Sequence, residues 1–242
     1  MKILIASLLS LLLCHCAPST QFLSPDYQGK DFSGQTLRIF PPAVSQLHII
    51  SMEDFEDDFG EIKENKEAFL AQLTEDEISS GFKAGAHQIE ITDDSAAKPV
   101  PDSATQKFSE SIGDKTIEVR IPKKEFLDSN GIKARFALIF GAVTYERKTS
   151  GGPGWSLMAP IAIMGPVSLN AGKSGGGGSK ALTASLDYLI YDYGENKPVA
   201  YGQANGVAHF SFAMTRSDWY VAAKDVARRI LEKSPFKSIA KF

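Results

Sequence analysis

The strongest structural pattern in this chain lies in three consecutive segments, residues 182–192 (LTASLDYLIYD), 193–198 (YGENKP) and 199–212 (VAYGQANGVAHFSF). The outer two segments contain many strand-forming residues, and the Gly-, Asn- and Pro-containing segment between them is typical of a turn. Together they predict an antiparallel hairpin. Gly202 and Gly206 are expected to mark bulges in the return strand, because glycine inside a strand often does so.

An amphipathic helix is predicted directly after this hairpin. Ser217 is expected to cap it, Asp218 lies in its first turn, and Pro235 ends it. Apolar residues recur along it at spacings of mainly three, four and one, which gives one face for packing on a sheet. These residues are Trp219, Ala222, Ala223, Val226, Ala227, Ile230 and Leu231.

Upstream segments predict further strands and a second helix. The strand candidates are short apolar or alternating runs, at residues 37–40, 47–50, 86–92, 116–121 and 133–148. The last of these is apolar on consecutive positions, so we expect it to be central and covered on both faces. A helix is predicted over 62–83 with Gly81 and Gly85 as its stop, a short helical stretch over 123–129, and a mobile loop over 93–115.

This order of elements predicts an α+β fold. The expected sheet is mixed or mainly antiparallel and is covered on one face by the two amphipathic helices. We expect a single domain over residues 35–242, a size that one domain commonly has. Residues 16–34 are rich in Ser, Pro, Gly and Asp and predict a flexible tether.

The N-terminus predicts export. Lys2 is followed by an apolar run over residues 3–13, which is too short to span a bilayer and is typical of a secretory signal. Residues 1–15 are therefore predicted to be a signal peptide. Cys14 and Cys16 lie at its far end and no cysteine follows them, so the exported domain has no pair of cysteines for a disulfide.

Residues 11–16 (LLLCHC) resemble a bacterial lipobox, although His15 stands where that pattern has a small residue. The resemblance implies cleavage before Cys16 and attachment of acyl chains such as palmitate to it, with Cys14 as the alternative site. An ordinary signal peptide with incidental cysteines, or an uncut signal, is the other interpretation. Ala17 after Cys16 implies sorting to the outer membrane, with the domain facing the periplasm.

With this start, the hairpin and helix of residues 182–236 resemble a group of envelope lipoproteins. The group includes the curli-secretion channel lipoproteins and the auxiliary lipoproteins of transport systems. The resemblance implies a lipid-anchored, non-enzymatic adapter or subunit of a periplasmic or outer-membrane assembly. Its expected partners are the membrane, through the lipid, and an envelope protein or a second copy of the chain.

Composition and motif spacing argue against several other functions. The formal net charge is −3 and no polybasic patch occurs, so nucleic acid is not an expected partner. Residues 172–174 (GKS) lack the upstream glycine and the following helix of a phosphate-binding loop. Ser156 lacks a nucleophile elbow, and His48, His87 and His209 lack metal-ligand spacing. No catalytic residue, metal or cofactor is predicted.

Three interpretations stay open beside the adapter. A hydrolase site assembled from distant residues would pair His209 with Asp187 or Asp192 across the hairpin. A carrier of a small apolar ligand would use the Pro-interrupted apolar stretch 157–169. The acidic segment 53–61 predicts a helical turn, with Phe55 and Phe59 on an apolar edge, and its acidic face is either solvated or a docking surface for a basic partner.

Overall fold

The computed structural model describes residues 20–60, 62, 65–86, 89–92, 100–149, 180–211 and 213–237. Within these residues the chain forms nine strands and four α-helices. The strands are β1 (Gln21–Leu23), β2 (Gln35–Ile39), β3 (Leu47–Ile49), β4 (Ile89–Thr92), β5 (Thr105–Ile112), β6 (Lys115–Pro122), β7 (Phe136–Thr149), β8 (Lys180–Asp192) and β9 (Lys197–Phe210). The helices are α1 (Met52–Phe59), α2 (Lys66–Gly85), α3 (Lys124–Ser129) and α4 (Arg216–Glu232).

Seven strands form one mixed sheet in the order β1-β9-β8-β7-β2-β4, and β3 pairs with β7 as well. Strands β7, β8, β9 and β1 are antiparallel neighbours, whereas β2, β3 and β4 join in parallel. Because β8 pairs along one edge of β7, β2 and β3 share the other edge. The predicted α+β fold with a mixed sheet is confirmed.

The two faces of the sheet carry different covers. Apolar side chains of α1, α2 and α4 join one face in the larger core cluster, whose fully buried members include Phe55, Leu70, Ile78, Trp219 and Val226. On the other face, the β5–β6 hairpin and α3 form a smaller cluster around Ile117, Val119, Leu127, Ile139 and Leu189. The finer prediction of two helices covering one face is not confirmed, since α1 adds to that cluster and the opposite face has a cover of its own.

Small residues let α4 lie close to both the sheet and α2. A Cβ atom on Gly206 would lie 2.1 Å from the carbonyl oxygen of Ala222, and one on Gly81 would lie 2.7 Å from the Cβ of Ala227. Gly81 is therefore a point of contact inside α2 and not its stop, because α2 continues to Gly85.

The bulges predicted at Gly202 and Gly206 are wrong. The register shift between β8 and β9 falls between Ile190 and Tyr191, whose partners are Ala200 and Pro198. Gly202 instead allows the backbone at the start of β1 to approach closely, since a Cβ there would lie 2.3 Å from the carbonyl oxygen of Thr20. The physical need at both glycines is close approach of another backbone.

Residues 20–34 belong to the folded domain and are not part of a tether. β1 pairs antiparallel with β9, and Tyr27 and Phe32 are 2% and 4% exposed in the larger core cluster. The two aromatic side chains supply the burial that holds this Ser-, Pro- and Gly-containing segment in place. Residues 16–19 of the predicted tether lie outside the described residues.

Two further predictions need local correction. The mobile loop expected over 93–115 contains a strand, β5, whose side chains are mostly exposed on both faces and so lack an alternating apolar pattern. Helix α4 is capped by Thr215 and not by Ser217: the side chains of Thr215 and Asp218 form a capping box.

Several predicted features lie outside the described residues. They are the signal peptide with Cys14 and Cys16, His87, Ser156, the apolar stretch 157–169 and the motif 172–174. In the part of the chain that the structure describes, no helix has the length and apolar character needed to cross a bilayer.

Candidate binding cleft

A cleft opens at the edge of β7 where the chain passes from β2 to β3. The amide of Phe40 still donates to the carbonyl of Leu138 at 3.0 Å, but Pro41 and Pro42 have no N–H to continue the ladder. β3 pairs with β7 only from Val143 onward. Among the described strands, residues 139–142 of β7 therefore have no partner on this edge, and β7 also shifts register against β8 between Phe140 and Val143.

This edge cleft encloses about 540 Å³. Apolar side chains at its base, Phe40, Ile139 and Phe140, are each 5% exposed or less. One wall is the first half of α2, and the other is the β5–β6 hairpin with the residues just before β5. The remaining lining residues are Pro41, Pro42, Ala43, Val44, Ser45, Gln46, Ala68, Ala71, Gln72, Glu75, Val100, Asp102, Thr105, Arg120 and Pro122.

Charged groups at the rim are mostly paired with each other. Arg120 Nη1 lies 3.0 Å from Asp102 Oδ1, and both side chains are more than half exposed, so this ion pair adds little to stability. A smaller hollow of about 290 Å³ shares Arg120 and Asp102 with the edge cleft. Lys107 and Glu118 pair at 2.7 Å on its wall. Because these opposite charges lie in pairs, the rim offers hydrogen-bonding groups but no excess charge of one sign.

The lining of the edge cleft is mainly apolar. Among the described residues, the lining contains no His, Cys or Lys side chain. Its one fully covered acid is Glu75, which is 4% exposed on α2. Across the described residues, no group of three or more His, Cys, Asp or Glu side chains is placed to hold a metal ion. A mostly apolar surface with a few polar groups is typical of a ligand or peptide site.

The structure does not bring together the residues of the hydrolase interpretation. His209 is exposed and pairs with Ala181, whereas Asp187 pairs with Gln203. Six residues along a strand separate the two positions, which is roughly 20 Å. Asp192, at the far end of the hairpin opposite Lys197, is further still from His209.

Both of these aspartates have structural partners. Burial raises the pKa of the Asp187 carboxyl, although Lys115 at 3.6 Å and an amide hydrogen bond from Gln203 at 3.1 Å oppose the shift. Asp192 is fully buried and accepts hydrogen bonds from the guanidinium of Arg135, the hydroxyl of Tyr27 and the amide of Gly194. Neither carboxylate faces the edge cleft.

Residues 53–59 of the acidic segment 53–61 lie in helix α1 (Met52–Phe59), and the predicted apolar edge is confirmed. Phe55 and Phe59 are buried against the ring of Trp219. Asp58 accepts a hydrogen bond from the Trp219 indole at 2.8 Å, and burial raises the pKa of its carboxyl. Asp54 forms an ion pair with Arg147. Internal partners thus occupy part of this acidic face.

Sequence reasoning missed the edge cleft. The signal that was present is the Pro41–Pro42 pair directly after a strand, which stops pairing on a sheet edge. Its significance depends on the pairing of β2 and β3 with the same edge of β7, and no local pattern reports that pairing.

Comparisons with known proteins give only distant likenesses. No family model and no curated protein matches the chain. Among solved structures it is similar to PelC dodecamers from Paraburkholderia phytofirmans in two crystal forms. One is 12% identical with a TM-score of 0.38 and covers 91% of this chain and 99% of PelC. The other is 11% identical with a TM-score of 0.34 and covers 91% and 100%.

A third solved structure is the hypothetical protein CT253 from Chlamydia trachomatis. It is 12% identical with a TM-score of 0.36, and the alignment covers 82% of this chain and 92% of CT253. At these identities and TM-scores, the three likenesses carry no argument about function.

Proposed function

We propose that this protein is a lipid-anchored, non-enzymatic adapter or subunit of an envelope assembly. Acyl chains on Cys16, or alternatively on Cys14, hold it at the outer membrane facing the periplasm. The edge cleft binds the envelope partner. The observation that carries this proposal is the edge cleft itself, an open and mainly apolar surface whose rim charges are paired.

The shape and chemistry of the edge cleft support a peptide-like partner. Its volume falls within the roughly 300–1,000 Å³ of typical ligand sites. Pro41 and Pro42 restrict the backbone of one lip, so less conformational freedom is lost when a partner binds. Gln46, Gln72 and Thr105 place neutral hydrogen-bonding groups beside the apolar base.

The proposal includes a helical support for this surface. In it, α2 and α4 are the principal cover of one sheet face, and α4 holds α2 in position as a wall of the edge cleft. The close approaches of Gly81 to Ala227 and of Gly85 to Leu231 support this arrangement.

Site-specific photocrosslinking in cells tests the adapter function. A photoreactive residue is placed at Gln72, which is exposed in the edge cleft, and a control is placed at Lys224, which is exposed on α4. We expect a discrete adduct with one envelope protein from position 72 and none from position 224. Equal adducts from both positions, or none from position 72, would contradict the proposal.

A carrier of a small apolar ligand is the second candidate, because the base of the edge cleft is apolar. Its test is thermal unfolding with added fatty acid, since a ligand that binds only the folded state raises the melting temperature. The apolar stretch 157–169, which the sequence predicts as the carrier's binding region, lies outside the described residues.

A further inference from the structure

The first described residues are fixed to the sheet at the point where the chain joins it. The amide of Gln203 donates to the carbonyl of Thr20 at 2.9 Å, and the Thr20 hydroxyl donates to the carbonyl of Gln203 at 3.2 Å. The hydroxyl of Tyr188 donates to the side chain of Gln21 at 3.2 Å. Because Gly202 has no side chain, β1 lies directly against β9 here. The start of β1 is therefore a rigid part of the domain.

The distance from this point to the proposed lipid is short. Four peptide links separate Cys16 from Thr20. Even fully extended, they span about 14 Å between the two Cα atoms. If Cys16 carries the acyl chains at the membrane surface, the end of β1 cannot move away from that surface by more than this distance. The surface of the domain beside β1 therefore stays within reach of the lipid headgroups.

An aromatic patch occupies that surface. Phe22 is 39% exposed, and its ring lies 4.9 Å from that of Tyr201. The ring of Phe108, on β5, lies 5.3 Å from that of Tyr201, and both of these side chains are half-buried against the smaller core cluster. Phe22 and Tyr201 are register partners on β1 and β9. The three rings form a continuous patch two residues from the start of the rigid domain.

We infer that this aromatic patch of Phe22, Tyr201 and Phe108 is a membrane contact, which sets the orientation of the domain on a lipid surface. The inference rests on the proposed lipid anchor. Tyrosine favours the interface between headgroups and acyl chains, and phenylalanine is common on the apolar face of segments that lie in this interface. The lipid supplies the affinity, and the patch only has to choose which side of the domain faces the bilayer.

The orientation has a consequence for the opposite side of the sheet. Tyr201 faces the layer of the β5–β6 hairpin, whereas its neighbour Ala200 faces the cluster that contains α4. Lys224 is exposed on α4. A domain that rests on its aromatic patch therefore directs Lys224 away from the bilayer, which makes Lys224 the matched control position.

The experiment uses the full-length, cell-processed protein reconstituted into vesicles of phosphatidylethanolamine and phosphatidylglycerol. Single cysteines replace Phe22, Glu110 or Lys224 and carry an environment-sensitive dye. Glu110 is exposed on β5 and lies near Tyr201, so a dye there leaves all three rings in place. The lipid-linked cysteine has no free thiol and does not take the dye.

We expect dyes at positions 22 and 110 to shift emission to shorter wavelength in vesicles and to be quenched by a lipid-borne quencher. The dye at position 224 should show neither effect. Protein that floats with the vesicles but has all three dyes in water, or all three equally quenched, overturns the membrane contact alone. Protein that lacks the lipid and does not float overturns the anchor and the contact together.

Discussion

The hydroxyl of Tyr27 donates a hydrogen bond to Oδ2 of Asp192 at 3.0 Å. The two residues are 165 positions apart, and this bond joins the segment before β2 to the end of β8. Arg135, the residue just before β7, forms an ion pair with the same carboxylate, and its Nη2 lies 3.1 Å from Oδ2 of Asp192. Because Asp192 is completely buried, these partners replace the water that its charge has lost.

Replacing Tyr27 with Phe tests the energetic role of this bond. The ring stays in the core but one hydrogen bond to a buried carboxylate is lost, so Tyr27→Phe should lower the free energy of unfolding by about 1.5–3 kcal/mol. Urea unfolding measures the change. Tyr220→Phe, at an exposed tyrosine on α4, is the control and should stay within about 0.5 kcal/mol of the wild type. An equal effect of both changes would show that the bond to Asp192 has no special weight.

Gly206 sets the distance between β9 and α4. In Gly206→Ala the added Cβ meets the carbonyl oxygen of Ala222 and the amide of Val226, both backbone atoms that cannot rotate away. We expect a loss of about 1–3 kcal/mol or more in the free energy of unfolding, the usual cost of overpacking. Asn205→Ala, the neighbouring change on the half-buried opposite face, should cost less. Similar losses in the two variants would contradict the close packing of α4 on β9.

Asp225 on α4 gives a pH dependence with a definite sign. Burial raises the pKa of its carboxyl, but hydrogen bonds from Arg228, Arg229 and the amide of Val207 outweigh burial and leave the pKa below its ordinary value. A lowered pKa in the folded state stabilises the protein above the unfolded pKa of about 3.9, and that stability is lost as the pH falls through the folded pKa.

Asp225→Asn should therefore unfold at lower urea concentration than the wild type at pH 7, and the difference should shrink as the pH falls below about 4. Urea unfolding at several pH values measures it. Asp76→Asn, at an exposed position on α2, is the control and should leave the pH profile unchanged. A difference between Asp225→Asn and the wild type that grows at acid pH would have the wrong sign.

A bulky side chain in the edge cleft should block the partner without unfolding the domain. Ala68 is exposed on the wall formed by α2, so Ala68→Trp should keep the wild-type melting temperature while it lowers the yield of the adduct from position 72. A drop of roughly tenfold corresponds to ~1.4 kcal/mol of binding free energy. Ala84→Trp, exposed on the same helix outside the edge cleft, is the control. An unchanged adduct yield in Ala68→Trp would remove the edge cleft as the binding surface.

Local patterns explain which parts of the fold were predictable. The hairpin of β8 and β9 and the helix α4 follow from turn residues, strand-forming residues and helical periodicity, all within about 55 consecutive residues. β1 is not predictable from local pattern because its three residues form a strand only against residues 200–202 of β9, far along the chain. Tyr27 and Phe32 looked like parts of a tether because their burial depends on the core of the whole domain.

The sequence does not predict the edge cleft, and it does not exclude the hydrolase pairing, for one physical reason. Both depend on strand register, which fixes where β2 stops on β7 and which residue lies opposite His209. Register is set by tertiary packing and one residue of slip reverses a strand's faces, so composition and spacing do not report it. The predicted membrane anchor, in contrast, rests on covalent chemistry at Cys16, which lies outside the described residues.

Mass spectrometry of the N-terminal peptide, from protein extracted from cell envelopes, tests the lipid anchor most directly. We expect the chain to begin at Cys16, or alternatively at Cys14, with the added mass of a diacylglyceryl group and an acyl chain. For a chain that begins at Cys16, Cys16→Ser should leave residues 1–15 uncleaved, and for one that begins at Cys14 the corresponding change is Cys14→Ser. An unmodified N-terminus, or recovery of the wild-type protein in the soluble fraction, would contradict a lipid anchor.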